Sequence, residues 1–571
     1  MAKTFRIKKH ETFSRASHTM KTLNRVRKQM VQGIQTHQLS DLTRSLSRLD
    51  KNVSVAMHEA QDPGSADWFD GDIEMASTRL SHMVDQSPDV IIRTFEVGKH
   101  WHWPAMLVYV DGLASNEMID QDTVQRLMDA ASKEKPTPEA VLKACKMLLV
   151  TVGHVTSTQS WDSLTTKALT GNLVIFLQDV PNVLIIDTVK FPARGIPSTT
   201  LEPSVKGPQE AFNEVGLTHM DQLRRWIRSP SLHFDPHTVG VISKSPVAIA
   251  YIKGVVNEEL LARVTDRVER IQRDLVTCAN DVGEYLSGHR QSIFPQYRLT
   301  ERVDWVARQL GQGKIAILVE NDPFAILLPV TLMDFYQTSQ DYALSWWDGT
   351  LVRLIRLSGL IIGLYLMPLY IALTSVNTVL TPTPLLLTID ASRQGIPFPP
   401  VVEVVIMYLI IEILREASNR LPKQLAVTLG TVGAVVVGTA IVKAGIVDDV
   451  MIVSATLTAL GLFTSPAFEM STPWRWLFWA MIVGAYFLGV LGMVLVTVAI
   501  VAYLASLEPF GVPYLTPFGP VRLGAWADAW VRLPTPVLRR RPIALRPKVR
   551  QGAQNNPTPD QFRLGPQGGS R

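Results

Sequence analysis

The hydrophobic pattern changes once along the chain. Up to about residue 345, apolar residues come in short runs or at helical spacing among charges; from 351 to 507 they run almost unbroken. In the first part, strands are predicted over 106–110, closed by the turn pair Asp111-Gly112, and over 172–177 and 183–186. A helix is predicted over 138–152. A proline-rich connector, 191–208, leads to a second unit with strands over 239–242, 247–252 and 315–319. Between them, 257–286 reads as one amphipathic helix with Leu260, Val264, Val268, Ile271 and Leu275 on one side. Thr300 followed by Asp304 reads as a helix start with an acid in its first turn. The aromatic stretch 336–347 reads as an interfacial helix.

The apolar half opens with Arg353 and Arg356 before a first span over 357–374. A proline-rich loop follows over 381–400. The next run, 401–414, is short and contains Glu403 and Glu412, which suits a re-entrant or broken helix. The run 425–442 is long enough to cross a bilayer, and Gly430, Ala434 and Gly438 share one face of it, the small-residue pattern of close helix packing. Another crossing is predicted over 450–463 with its flanks. The run 474–507 would be about 50 Å as one helix. It is either one tilted helix or two short spans broken near Gly489 and Gly492. The expected total is four to six spans. Glu412, Arg415, Glu416 and Arg420 come just before the helix stop at Pro422. Ionised groups beside a membrane are costly unless they pair or face water, so these four are candidate ion-path or gating charges.

Composition refines this picture. Charged residues make up 19% of the 571, below the roughly 25% of globular proteins. Residues 1–64 are basic and poor in large apolar groups, and 521–571 are basic, then rich in Gly, Pro and Gln; both are expected to be disordered. A basic tail attracts anionic lipid; with few interleaved aromatic residues, nucleic acid is not expected as a partner. The N-terminus has no signal-peptide pattern, and basic flanks on both sides of the apolar half place both ends inside the cell. Cys145 and Cys278 imply no disulfide framework. His100 and His102 share a strand face without an evident third ligand, so no metal is expected. With no nucleophile elbow, zinc spacing or phosphate loop, neither an enzyme nor a cofactor is expected.

Four motifs, in order, carry a resemblance. The stretch LREASNRLP, with Leu414, Arg415, Glu416, Ala417, Arg420, Leu421 and Pro422, is similar to a hallmark of the A subunits of bacterial spore germinant receptors, the GerA-type proteins. Ser418 departs from the family's glycine and Thr439 from its glutamine. Upstream, Glu202, Val205, Gly207, Pro208, Glu210, Phe212 and Glu214 fit a second motif, with Gln209 and Ala211 departing. Phe294, Pro295, Gln296, Thr300, Glu301, Arg302 and Asp304 fit a third, with Val303 in place of a proline. Phe510, Gly511, Pro513, Tyr514, Leu515, Pro517 and Pro520 fit the closing motif. The expected fold is therefore an α/β cytosolic N-terminal region of two subdomains, 65–200 and 201–345, followed by an all-α multi-span membrane domain, 346–520. The resemblance implies a receptor subunit in the inner spore membrane. Its implied partners are a transporter-like B subunit and a lipoprotein C subunit, and its implied assembly is a pentamer that forms the ion channel. A non-conducting scaffold, or the paralogous stage-V sporulation subunit, is the alternative.

Overall fold

The structure is a computed structural model that describes residues 68–548 except 85–86, 131–135, 151–153, 190–196, 289–290, 421–439, 442, 522–525, 527 and 535–540; at 82–84, 418–420 and 543 it describes the backbone alone. The described part is two α/β units followed by a helical bundle.

In the first unit, strands β1 (Val90–Val97), β2 (Trp103–Val110), β3 (Val155–Thr158), β4 (Leu173–Leu177) and β5 (Val180–Ile186) pair antiparallel in the order β1-β2-β4-β5-β3. Both faces of this sheet are covered, so the central strands are apolar throughout rather than alternating. Ala105, Leu107 and Tyr109 face helix α2 (Pro138–Leu149), while Met106 and Val108 face α1 (Ile73–Val84) and α3 (Trp161–Leu169).

The second unit repeats this plan. Its strands β6 (Leu232–Val239), β7 (Ser245–Ile252), β8 (Arg298–Thr300), β9 (Ile315–Val319) and β10 (Ala325–Leu328) take the order β6-β7-β9-β10-β8, the same topology. Helices α4 (Gly216–Trp226) and α7 (Val303–Gly311) cover one face; α5 (Glu258–Glu269) and α6 (Ala279–Leu286) cover the other. Even isolated bridges correspond: Trp68 pairs with Ser160, and Ala211 with Arg302, each five positions before the unit's first helix. The chain thus contains a structural duplication.

Several expectations change here. The predicted helix over 257–286 is two helices, because the chain between them is claimed by a neighbouring turn. Val241 N and Ile242 N donate to the carbonyls of Arg273 and Asp274, and Ser245 Oγ to that of Val276. The residues 240–242 belong to that turn and not to a strand. The segment 336–347 is not one helix: a one-turn α-helix, Ser339–Ala343, ends before the next helix starts at Trp346.

The bundle begins with α8 (Trp346–Ile371), extended by a π-helical turn to Val376. The predicted loop 381–400 contains a helix, α9 (Thr383–Ser392). The segment expected to be re-entrant is one continuous helix, α10 (Pro400–Arg420). It is followed by α11 (Asp449–Phe463) and by α12 (Ser471–Ser506). Gly430, Ala434, Gly438 and Pro422 lie outside the described residues.

A different small-residue seam is described between α8 and α11. A Cβ on Gly461 would come within 2.4 Å of the Gly359 carbonyl oxygen and 2.7 Å of the Gly363 nitrogen, so the two backbones touch there. The last run is not a single helix; of the two readings, the break near Gly489 is the one the backbone takes. Inside α12 the backbone reverses at Gly489, with φ 63° and ψ −138°. A Cβ on Gly492 would fall 2.0 Å from the Gly484 carbonyl oxygen, and Trp474 and Tyr503 both meet Phe294, at 6.0 and 6.1 Å between ring centroids. Those contacts require two antiparallel arms, each about 25 Å long. Asn377 Oδ1, just beyond α8, accepts from Val490 N at 2.8 Å and caps the second arm.

Candidate functional site

Three of the four motifs meet where the second α/β unit joins the bundle. The loop around Glu202 lies against β8, which brings Glu202 to Arg298 at 2.7 Å and to the Thr300 hydroxyl. Glu301 accepts from the backbone nitrogens of Leu201 and Glu202 at 2.7 and 2.9 Å. Arg302 donates to the carbonyls of Glu202 and Pro208, at 3.0 and 2.7 Å, and forms a two-pronged pair with Asp304, both distances 3.1 Å. Gly207 has φ +112°, and a Cβ there would sit 3.1 Å from Ala343 Cβ. Glu210 pairs with Arg225 at 3.3 Å. Thr300 itself is not the cap: it closes β8, and the residue before α7 is Arg302, while Asp304 does stand in the first turn of that helix as expected. A set of buried, paired charges of this kind adds little net stability, but removing one partner is costly.

The network runs on into the bundle. Arg298 stacks over Trp305 at 5.0 Å and donates to the carbonyls of Asp334 and Gln337. Lys314 pairs with Asp334 at 2.5 Å, and burial holds the Lys314 ammonium below its usual range against that pairing. Asp304 accepts from Ser339, in the turn that precedes α8. Asp341, fully buried, takes both arginines at the start of α8, Arg353 at 3.3 Å and Arg356 at 2.8 Å. Arg353 also reaches Asp528 at 3.1 Å, and Arg532 donates to the carbonyls of Asp341 and Leu344. Burial raises the Asp528 carboxyl, opposed chiefly by Arg353. Leu299 N donates to Glu469, immediately before the hairpin, at 2.9 Å.

Sequence reasoning missed Arg298, Lys314, Asp334, Asp341, Glu469 and Asp528. The repeated pattern Thr331-x-x-Asp334 and Thr338-x-x-Asp341 was the available signal; both form capping boxes. Residues 528–534 and 541–548, expected within a disordered tail, are packed in part: Arg541 Nε donates to the Gly311 carbonyl and Lys548 N to that of Val255.

The closing motif clasps bundle and unit together. Phe510, at φ 55°, enters the core of the second unit under Arg267, 4.4 Å away. Gly511, at φ 77°, lets the chain turn, and Tyr514, after Pro513, is fully buried in the bundle core. Its carbonyl accepts from Leu332 N at 2.8 Å.

At the same end of the bundle, Glu412 pairs with Arg415 at 3.0 Å and with Arg475 of the hairpin at 3.5 Å. Arg415 lies 5.0 Å over the Phe463 ring, and Glu416 is exposed on the next turn. The Arg420 side chain is outside the described residues. At the far end, Arg393 pairs with the buried Glu403 at 2.8 Å, and Tyr370 donates to Asp448 at 2.9 Å.

These features define a class of protein: two like α/β units tied by buried ion pairs to a helical bundle in which Trp346–Val376 and Phe468–Ser506 are long and apolar enough to cross a membrane. The chain belongs to the GerA family, the A subunits of spore germinant receptors; the profile described as Bacillus/Clostridium GerA spore germination protein matches residues 78–544. Spore germination protein KA of Bacillus subtilis (strain 168) is 32% identical over 478 residues, which cover 83% of this chain and 87% of that protein. Spore germination protein GerQA of Bacillus cereus is 37% identical over 378 residues, 66% of this chain and 76% of that one. The crystal structure of the N-terminal domain of the A subunit of the Bacillus megaterium spore germinant receptor GerK3 aligns with a TM-score of 0.37 and 24% identity, covering 46% of this chain and 95% of that one.

Proposed function

We propose that this chain is the pore-forming subunit of a germinant receptor, a multi-span protein of the inner spore membrane that self-associates, as a pentamer, into a nutrient-gated ion channel. It works beside a transporter-like B subunit and a lipoprotein C subunit. One observation carries the reading: Glu202 holds Arg298, Arg298 donates to the carbonyls of Asp334 and Gln337, and Asp341, four residues beyond Gln337, takes Arg353 and Arg356 of α8, with Leu299 tied to Glu469. A displacement of the second α/β unit is thereby delivered to both α8 and the hairpin. Five described helical segments run between the two ends of the bundle: α8, α10, α11 and the two hairpin arms. That arrangement suits a multi-span domain.

Glu412, Arg415, Glu416 and Arg420 would then line the rim of the ion path, repeated once per protomer. Conductance recording of the reconstituted full chain, alone and with a B-type partner, tests this. The double substitution Glu412→Gln with Glu416→Gln should leave assembly intact and change cation flux. A fully assembled double variant with normal cation conductance removes these charges from the path. A second reading, a signal-transmitting scaffold, is favoured by the pairing of Glu412 with two arginines of its own chain. It predicts no conductance under any combination of partners.

A further inference from the structure

The two α/β units meet across a cluster of charge. From the first unit come Asp89, just before β1, and Asp111, just after β2. The pairing of Val90 with Val110 sets them side by side at one end of that ladder, and Asp111 N donates to the Asp89 carbonyl at 2.8 Å. From the second unit come Asp221 and Arg224, both buried on α4. Among the described residues, three carboxylates thus act on one another around a single guanidinium.

That guanidinium is fully engaged. Its Nε donates to Asp89 Oδ2 at 2.6 Å, one terminal nitrogen to Asp89 Oδ1 and to Ser87 at 3.2 Å each, and the other to the Ser229 carbonyl at 3.2 Å. Asp111 is supplied by Gly112 N at 3.1 Å and by Asn116 at 3.0 Å. Asp221 receives neither: its Oδ1 is buried without a donor, and its Oδ2 lies so near Gly112 that a Cβ added there would be 2.0 Å away. A buried ionised carboxylate needs donors or water. A gap too small for a methyl carbon is too small for water, so hydrating Asp221 means lifting α4 off the 111–112 turn. A proton makes that movement unnecessary, because it removes the charge and adds a donor.

We propose that this joint is a proton-binding site: with the proton on Asp221, α4 seats against the 111–112 turn, and when the proton leaves, the first unit parts from the second. The position of the first unit then follows pH, whether or not the chain conducts ions. Burial, then the charges of Asp89 and Asp111, raise the Asp221 carboxyl to about 8, opposed by Arg224, which places the change near that pH. The other charged groups on α4 do not compete. Burial holds His219 below its usual range, so it is neutral throughout, and Arg225 is paired with Glu210 at 3.3 Å.

The test uses the full chain with spin labels on the two units, at Lys143→Cys in α2 and Ala262→Cys in α5, both exposed positions. Cys278 is replaced by serine, and Cys145 is buried and stays unlabelled. The distance between the labels is read by double electron–electron resonance from about pH 6.5 to about pH 9.5. A single short distance is expected at the acid end, with a longer population growing in around pH 8. Asp221→Asn, which cannot ionise, should keep the short distance throughout. Asp111→Asn should move the midpoint about one pH unit lower, because one repelling charge is gone. One unchanged distance across the whole range in the unsubstituted chain overturns the proposal without any further variant. So does a change of the same size and midpoint in Asp221→Asn, which assigns the proton to another group. Circular dichroism at each pH separates parting from unfolding: a longer distance that comes only with loss of secondary structure is denaturation, and it overturns the proposal as well.

Discussion

Asp221 is a buried carboxyl at a crowded joint. It is buried where the two α/β units meet, and its Oδ1 finds no hydrogen-bond donor. It sits so close to Gly112 that a Cβ there would lie 2.0 Å from its Oδ2. Arg224 beside it is engaged by Asp89 at 2.6 Å. Burial, then the charges of Asp89 and Asp111, push the Asp221 carboxyl up to about 8, against the pull of Arg224. A carboxyl raised above its unfolded value of about 3.9 contributes its full stability below that pH and loses it as pH rises through the folded value. The melting temperature should therefore fall between about pH 4 and about pH 8, and the fall should shrink in Asp221→Asn. Equal slopes in both proteins would show that the cost lies elsewhere. Glu202 poses the opposite case. Glu202→Ala leaves Arg298 buried with its main charge partner gone, and should cost about 3 kcal/mol. Denaturant unfolding that shows less than about 1 kcal/mol would mark the network as replaceable. The sequence displayed Glu202, Thr300 and Arg302 as motif members without showing that they meet. Partners about a hundred positions apart leave no periodicity to read.

At the scale of elements, apolar runs were legible and their ends were not. β9 was read to the residue, because five buried residues bounded by turn formers allow little choice. The split of α5 from α6 was illegible: helical spacing continues through the break, and the hydrogen bonds that cause it come from a turn some 30 positions earlier. The carboxylates within α10 suggested a broken helix, yet Glu403 finds Arg393 and Glu412 finds two arginines, which removes the reason to unwind. Glycine marked the reversal in α12 but did not decide between a long helix and two spans. The decision comes from contact between Gly484 and Gly492 and from the Asn377 cap. Gly489→Ala combines positive φ with a Cβ placed 1.8 Å from Asn377 Oδ1, and should prevent the hairpin from closing. Asn377→Ala should cost only about 1 kcal/mol, the value of a lost cap. Crosslinking between cysteines placed at 474 and 503 reports closure. Efficient crosslinking in Gly489→Ala would contradict the turn.

For the whole molecule, duplication is the feature that the sequence concealed. Once the sheets are superposed in topology, Thr158-Gln159-Ser160-Trp161-Asp162 corresponds to Thr300-Glu301-Arg302-Val303-Asp304. The scaffold is shared, but at these positions the glutamate and arginine of the junction occur only in the second unit, where the first has Gln159 and Ser160. Topology follows from the same joint. Both the start of α8 and the end of α12 lie against the second unit, so cysteines placed at 338 and 516 should be labelled from one and the same side of an intact membrane. Labelling from opposite sides would overturn that placement.

The latch at Arg353 also has a consequence for manufacture. Arg353 is a buried cation at the threshold of the first apolar helix, and two of its acceptors, Asp528 and Ala529, are made some 175 positions later. Until a ribosome has passed them, that arginine shares Asp341 with Arg356 and lacks its second carboxylate. A nascent or prematurely stopped chain therefore carries a half-compensated charge at the point where it must settle into lipid. Quality control that removes unsatisfied membrane charges would discard such fragments, and only the finished polypeptide would accumulate.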